Sequence, residues 1–519
     1  MARVVHMSVR SRYRTVMLCV VVGLLYLLSA PGSSSRMGNA SRSSSSTLWN
    51  FLSRKSQRLP PNNPSGPSSP ESLADGFFSW QGPDFVPGPK PAYKAPREPT
   101  PPVPDPFPLL SWNLQPSKRK HLLRPPQANR PPKEHYAEQT PLLIGFTRNW
   151  PQLVQCVSSY IAAGWPPEDI YVVENTGVMH ANLRNQLTLQ NPFYLNHSQL
   201  HMLGVNTLLT PTLLTFAQLQ NYFLWTALEQ NWSEFFWSHQ DVLVFSFENE
   251  TFPEDVPLPD ADRDPTKPVT YSLYDRAVGV LQKLRKNDAP KWANHFFAYD
   301  HLTLVKRDAV LDVGGWDTHI PYYATDCDMY VRLMWAGYWQ GETQVGMILD
   351  VATVLDDVGA LFRVPGIHAS FQGDPGEEEE ERKERERAQR RQRVLRGGDN
   401  DSDTRSEEVG KVETSQRSET FEHLVEVASR MEQAKYTDGG GWRNLWQLRQ
   451  TGGEGEPFAR DYEGFEIGLR MMIDAGRSVF AEKWGHRGCD IARMGIKAED
   501  AWQLERDWGE GPGYEGDEW

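Results

Sequence analysis

Apolar positions in the middle of the chain fall into short continuous runs that alternate with segments of helical spacing. Leu142-Leu143-Ile144-Gly145-Phe146 is one such run; it predicts a strand buried on both faces that opens into Thr147-Arg148-Asn149. A helix is expected over 151–163, and a second strand at Ile170-Tyr171-Val172-Val173 that ends in Glu174-Asn175-Thr176-Gly177. Strand, helix, strand in that order predicts a right-handed crossover within a parallel sheet. Leu213, Leu214, Ala217, Tyr222, Trp225 and Leu228 then recur near helical spacing, and this helix feeds Phe235-Phe236-Trp237 and Ser238-His239-Gln240-Asp241. A further amphipathic helix is expected over 271–286 and strand material over 296–305. Ligands of open parallel sheets gather beyond the carboxyl ends of strands, which brings Thr147, Glu174 and Asp241 to one crevice of an α/β fold.

The periodicity fails at both ends and once internally. Residues 31–136 are a Ser tract followed by a Pro-rich stretch such as Pro101-Pro102-Val103-Pro104. That composition buries too little apolar area to offset ordering, so an extended stem is expected. Residues 373–433 pass from a run of Glu at 377–381 into Lys and Arg, then Gly, Asp and Ser. They predict a solvated helix or disordered insertion between a folded domain at 137–372 and an aromatic-rich segment at 434–519. Order is expected to resume at Trp442-Arg443-Asn444-Leu445-Trp446, and this last segment is expected to pack back onto the head, with an acidic tail.

Residues 1–15 carry Arg3, Arg10, Arg12 and Arg14 and no acid, ahead of an apolar run within 16–30. Basic residues before a single early span predict a cytosolic tail and a single-pass type II anchor. A cleaved signal peptide ending at Leu28-Ser29-Ala30 is the competing reading, disfavoured by Pro31. Either places the remainder in the secretory lumen, Golgi membrane in the first case and secreted in the second. Asn-x-Ser/Thr triplets at Asn39, Asn196, Asn231, Asn249 and Asn400 agree with that. Beyond Cys19 in the apolar run, Cys156, Cys327 and Cys489 permit one disulfide and leave a thiol. The net charge of −13 argues against a general nucleic-acid partner.

The densest chemistry lies between Phe296 and Tyr338, where a short helix stops at Gly314-Gly315-Trp316-Asp317. It is followed by Thr325-Asp326-Cys327-Asp328 and the Met329–Trp335 helix with Arg332-Leu333. That order resembles the acceptor-side signature of inverting glycosyltransferases of the GT-A fold, family two in particular. The resemblance covers roughly 141–371. It implies a nucleotide-sugar donor, a divalent ion such as Mn2+ or Mg2+, and a glycan or glycoconjugate acceptor. Asp326 is then the general base, with Asp328 orienting its helix or binding acceptor; the competing reading makes Asp326 an N-cap. Asp241 takes the place of the last acid of the metal-binding Asp-x-Asp, and His239 stands where its first acid would be. His368, with His486 as rival, is the candidate third ligand. Thr147, Arg148 and Asn149 fall where the family binds the nucleotide, Glu174 and Asn175 are the next contacts, and Asn221 matches an Asn on the helix leading to the metal strand. Trp316 and Asp317 form the acceptor wall. A catalytically silent relative that only binds glycan or nucleotide sugar, and a scaffold protein working through its stem and charged block, are the alternatives.

Overall fold

The computed structural model describes residues 90–92, 102–110, 117–118, 122–132, 134–248, 271–286, 291–374, 419–437, 452–456 and 458–508. The apolar run at 16–30, the Ser tract, the Glu run at 377–381 and the Trp442–Trp446 segment lie outside them. No helix of the described residues is long and apolar enough to cross a membrane. Residues 93–519 form one compact unit, whose fold follows.

The described strands are β1 (Leu142–Phe146), β2 (Ile170–Glu174), β3 (Asn206–Leu209), β4 (Glu234–Ser238), β5 (Val242–Phe245), β6 (Trp292–Phe296), β7 (Leu302–Lys306), β8 (Trp339–Glu342) and β9 (Met347–Asp350). Seven of them form one sheet in the order β3-β2-β1-β4-β7-β6-β8, and β5 pairs with β9 in a small second sheet. β3, β2, β1 and β4 are parallel, β7 is antiparallel to both its neighbours, and β8 runs parallel to β6. This is a mixed, mostly parallel sheet of an α/β fold. The run expected as one strand over 296–305 is broken by a turn at 297–301, so β6 and β7 pair back on themselves.

Helices cover both faces. α1 (Trp150–Ala162) starts after Asn149, whose backbone is left-handed (φ 69°) and whose side chain accepts from the amide of Gln152, with Pro151 in the first turn. After α2 (Met179–Leu183) and α3 (His197–Leu203), α4 (Phe216–Glu229) opens with a Thr215–Gln218 capping box. The remaining helices are α5 (Leu273–Lys286), α6 (Arg307–Asp312), α7 (Thr325–Trp335), α8 (Phe421–Thr437) and α9 (Tyr462–Trp484). Because side chains alternate along a strand, β1 sends Leu142, Ile144 and Phe146 into one apolar cluster and Leu143 into another. A Cβ at Gly145 would lie 2.6 Å from the Leu219 side chain, so α4 packs on β1 only because that position is glycine.

Two segments depart from the sequence expectation. Phe107 and Leu110, assigned to the stem, are fully buried in the main cluster, where Phe107 stacks on Phe362 at 5.9 Å. Phe421–Thr437, mostly within the charged block, is a helix whose Leu424, Val427, Ala428 and Met431 recur at i, i+3, i+4, i+7 and are all buried. The C-terminal segment lies against the head through α9, where Phe480 and Trp484 pack with Ile320 and Val331.

A disulfide joins Cys327 in the first turn of α7 to Cys489 beyond α9, across 162 residues of sequence, and Cys156 remains a buried thiol. Closing so long a loop restricts the unfolded chain, a stabilisation of roughly 2–5 kcal/mol. Cys489→Ser is therefore expected to lower the free energy of unfolding by about that amount. Urea denaturation of wild type and variant checks this, and reductant should bring the wild type towards the variant.

Candidate functional site

The β4 strand, its extension to Asp241, and the turn at 297–301 are held together by backbone pairing. The Ser238 hydroxyl and the His239 amide both donate to the carbonyl of His301, at 2.9 and 3.2 Å. β5 pairs Val242 with Asp350, and the Val351 amide donates to the Asp241 carbonyl at 2.8 Å. This brings Asp241, His239, Asp300, His301 and Asp350 together beyond the end of β4. His239 Nδ1 lies 3.6 Å from Asp241 and Nε2 lies 3.8 Å from Asp300; His301 lies 3.8 Å from Asp350. Asp326, in the first turn of α7, accepts from the Tyr299 hydroxyl at 2.8 Å and senses the charge of Asp300. Asp241 and Asp326 thus belong to one polar cluster, joined through His239 and Asp300.

The environments of these groups differ in kind. Burial works against charge on Asp241, but the neighbouring His239 and the ammonium of Lys435 overcome it and hold this carboxyl far below the usual range. Burial also opposes a charged His239, yet Asp241 and Asp300 raise its pKa to about 9. His301, buried beside that imidazolium, is lowered. Asp326 is raised, by burial first and by Asp300 second. It is not an N-cap, since α7 begins after Ala324 with no side-chain cap.

Lys435 reaches this centre from α8. Its Nζ is 2.9 Å from Asp241 Oδ2 and hydrogen-bonds to Asp350 Oδ1, with its side chain only 1% exposed. The space between the two carboxylates where a divalent ion would bind therefore holds an ammonium. Among the described residues, no group of three or more His, Cys, Asp or Glu side chains is arranged to hold a metal ion. His368 is no third ligand here: it is half exposed and pairs with Glu419 at 3.2 Å. His486 pairs with Asp490 and Asp507. The residues present do not fit the expected Mn2+ or Mg2+.

Several other sequence candidates are engaged in holding the fold. Asp328 is fully buried and bound by Arg332 Nε at 2.8 Å, Lys483 Nζ at 2.7 Å and Trp484 Nε1 at 3.2 Å, so it anchors α9 on α7 instead of facing the crevice. Asp317 is tied to the same Lys483 at 2.8 Å. Glu174 is buried; its Oε1 accepts from Thr176 and Asn182 at 2.9 and 2.7 Å, and its Oε2 lies 2.8 Å from His197. Asn175 pins the loop before α4 through both backbone groups of Leu214. Asn221 exchanges two 2.9 Å hydrogen bonds with the backbone of Trp316, and the Gly315 backbone beside it sits at φ +78°. Trp316 is nearly buried, edge-on to Phe216 and Tyr330. Asn149 caps α1, and Thr147 is half-buried at the end of β1.

Arg148 differs from these. It is buried, its backbone carbonyl accepts from Gln240, and its guanidinium packs 5.2 Å from the Phe465 ring. Among the described residues, no carboxylate or carbonyl accepts from that guanidinium. Arg460 lines the same opening with Phe193, Gly452 and Tyr462. Burial chiefly, and repulsion from Arg460, lower Arg148 to about 10. Arg460 donates to the Thr176 carbonyl and stacks on Phe193 at 3.7 Å, so two guanidiniums border one opening, a charge arrangement of the kind that suits an anion.

No family model and no curated protein matches the sequence. Among solved structures, the chain is similar to mannosyltransferase PcManGT from Pyrobaculum calidifontis in complex with GDP-Man and Mn2+, at 14% identity and a TM-score of 0.26. The match covers 44% of this chain and spans 61% of the length of that one. A likeness this distant says nothing about the substrate of this chain.

Lys483→Met would leave Asp328 buried against its neighbours with less positive charge to offset it. A loss of about 3–5 kcal/mol is expected, with Asp328→Asn recovering part of it in the double variant. Chemical denaturation of the four proteins in that cycle measures the coupling.

Proposed function

We propose that this protein is a glycosyltransferase that moves a sugar from a nucleotide-sugar donor to a hydroxyl of a glycan or glycoconjugate, with inversion at the anomeric carbon. The observation that carries the reading is the proximity of Asp241 and Asp326 in one cluster beyond the end of β4: His239 lies between Asp241 and Asp300, and Tyr299, next to Asp300 in the chain, donates to Asp326. Two carboxylates with opposite perturbations suit two different tasks. Asp326, raised and half-buried, accepts the proton of the acceptor hydroxyl as the new glycosidic bond forms. The bond to the diphosphate breaks on the opposite face, and the leaving oxygen carries away the electron pair.

The diphosphate is the anion that Arg148 and Arg460 suit, because guanidiniums fork onto phosphate oxygens in a way no other side chain matches. Gln240 binds the Arg148 carbonyl at 2.7 Å and directly precedes Asp241, so the anion site and the acidic cluster share one loop. The Cys327–Cys489 disulfide agrees with an oxidising compartment and hence with a luminal, Golgi-type setting reached through the N-terminal anchor. A silent relative that binds donor without transferring it is the second reading, and the departure at His239 is what favours it.

Asp326→Asn is expected to keep donor binding and lose transfer by roughly 10²–10⁴-fold. The base works only when ionised, and its pKa is raised, so kcat/KM should fall on acidification with a midpoint above the ~4 of a free aspartate. A pH–rate profile of the wild type and turnover of the variant check both; wild-type turnover in Asp326→Asn would refute the assignment.

A further inference from the structure

The resemblance behind the proposed transfer calls for a divalent cation at Asp241, and there α8 delivers an ammonium. Three side chains on one face of α8 converge on Asp350: Glu432 accepts from its amide at 3.1 Å, Tyr436 donates to Oδ2 at 3.0 Å, and Lys435 binds Oδ1. Positions 432, 435 and 436 stand at i, i+3 and i+4, so a single docked helix surface reads this residue. Lys435 continues from Asp350 to Asp241 at 2.9 Å, its side chain almost wholly shielded from solvent. The buried stripe of Leu424, Val427, Ala428 and Met431 fixes α8 in place, so the ammonium cannot withdraw without undocking the helix.

We propose that Lys435 takes the place of the divalent cation, so that the Asp241 centre is metal-independent and its positive charge is part of the chain. The replacement of the first acid by His239 points the same way. A divalent ion with oxygen ligands needs several carboxylate charges, whereas one ammonium is matched by fewer. An ammonium supplies one positive charge where a divalent ion supplies two, and His239 in place of an acid removes one negative charge, so the two departures from the family pattern compensate one another. The donor site is complete only when α8 is docked, which makes the end of the charged block part of the site.

The inference rests on the transfer reading only for the reason to expect a metal, and its test involves no donor. Bound Mn2+ is counted by the loss of the free-ion electron paramagnetic resonance signal with the full-length protein at millimolar Mn2+. Wild type is expected to bind none at this centre. Lys435→Ala exposes Asp241 and Asp350 with His239 and His301 beside them, a donor set that suits Mn2+. It should gain one bound ion per chain, lost again when Asp241→Asn is added. A wild-type site of micromolar affinity that Asp241→Asn removes would overturn the proposal, and so would a folded Lys435→Ala that takes no Mn2+. Should Lys435→Ala fail to fold, the wild type and Asp241→Asn decide it alone: no difference in bound Mn2+ supports the proposal, and a wild-type ion lost in Asp241→Asn refutes it.

Discussion

Carboxylates gathered at the end of a sheet repel one another, and this fold tolerates them because lysines from its C-terminal segment lie between them. Lys435 bridges Asp241 and Asp350, and Lys483 bridges Asp317 and Asp328. In each case the acids lie beside the sheet ends or at α7 and the loop before it, and the cation comes from a later helix, α8 or α9. Removing either ammonium leaves buried like charges facing each other, a far larger penalty than loss of a surface ion pair. The C-terminal segment is thus an electrostatic component of the head, and the disulfide from α7 to Cys489 reinforces the same attachment covalently.

That compensation separates the acids by task. Asp241 is deep, doubly bonded to cations and held ionised, while Asp326 lies nearer the opening, accepts from Tyr299 and is pushed up by Asp300. The fold places them by ordinary means. Parallel strand ends supply Asp241, a tight β6–β7 turn supplies Asp300 and His301, and the first turn of α7 supplies Asp326. A glycine at 315 gives the turn its positive φ, and Asn221 and Arg332 then hold that turn in position through backbone hydrogen bonds.

The sheet core was legible because apolar runs and turn residues report directly on burial. Leu142–Phe146 is a strand over the same residues the pattern selects, and the helices at 150–162, 216–229 and 273–286 lie within a few residues of their expected places. Ala298-Tyr299-Asp300-His301 interrupts the apolar run at the turn of 297–301, and a single strand over that run conceals Tyr299, Asp300 and His301 as site residues. The apolar stripe of α8 was present but submerged among charges. Lys435 carried no local signal at all: its role depends on meeting Asp241 across 194 residues of sequence. Glu174, Asn175, Asn221 and Asp328 hold loops and helices together in the fold, and polar residues do so as readily as they bind ligands.

The central claim is that this crevice, with its own cations in place, receives a nucleotide sugar. Thermal unfolding of the full-length protein across a panel of nucleotide sugars, in EDTA, tests it most directly. One donor should raise the midpoint in a saturable way, by up to about 2.7 kcal/mol of added stability at a hundredfold excess over its Kd. A panel in which no donor moves the midpoint, with EDTA or with Mn2+, would contradict the account.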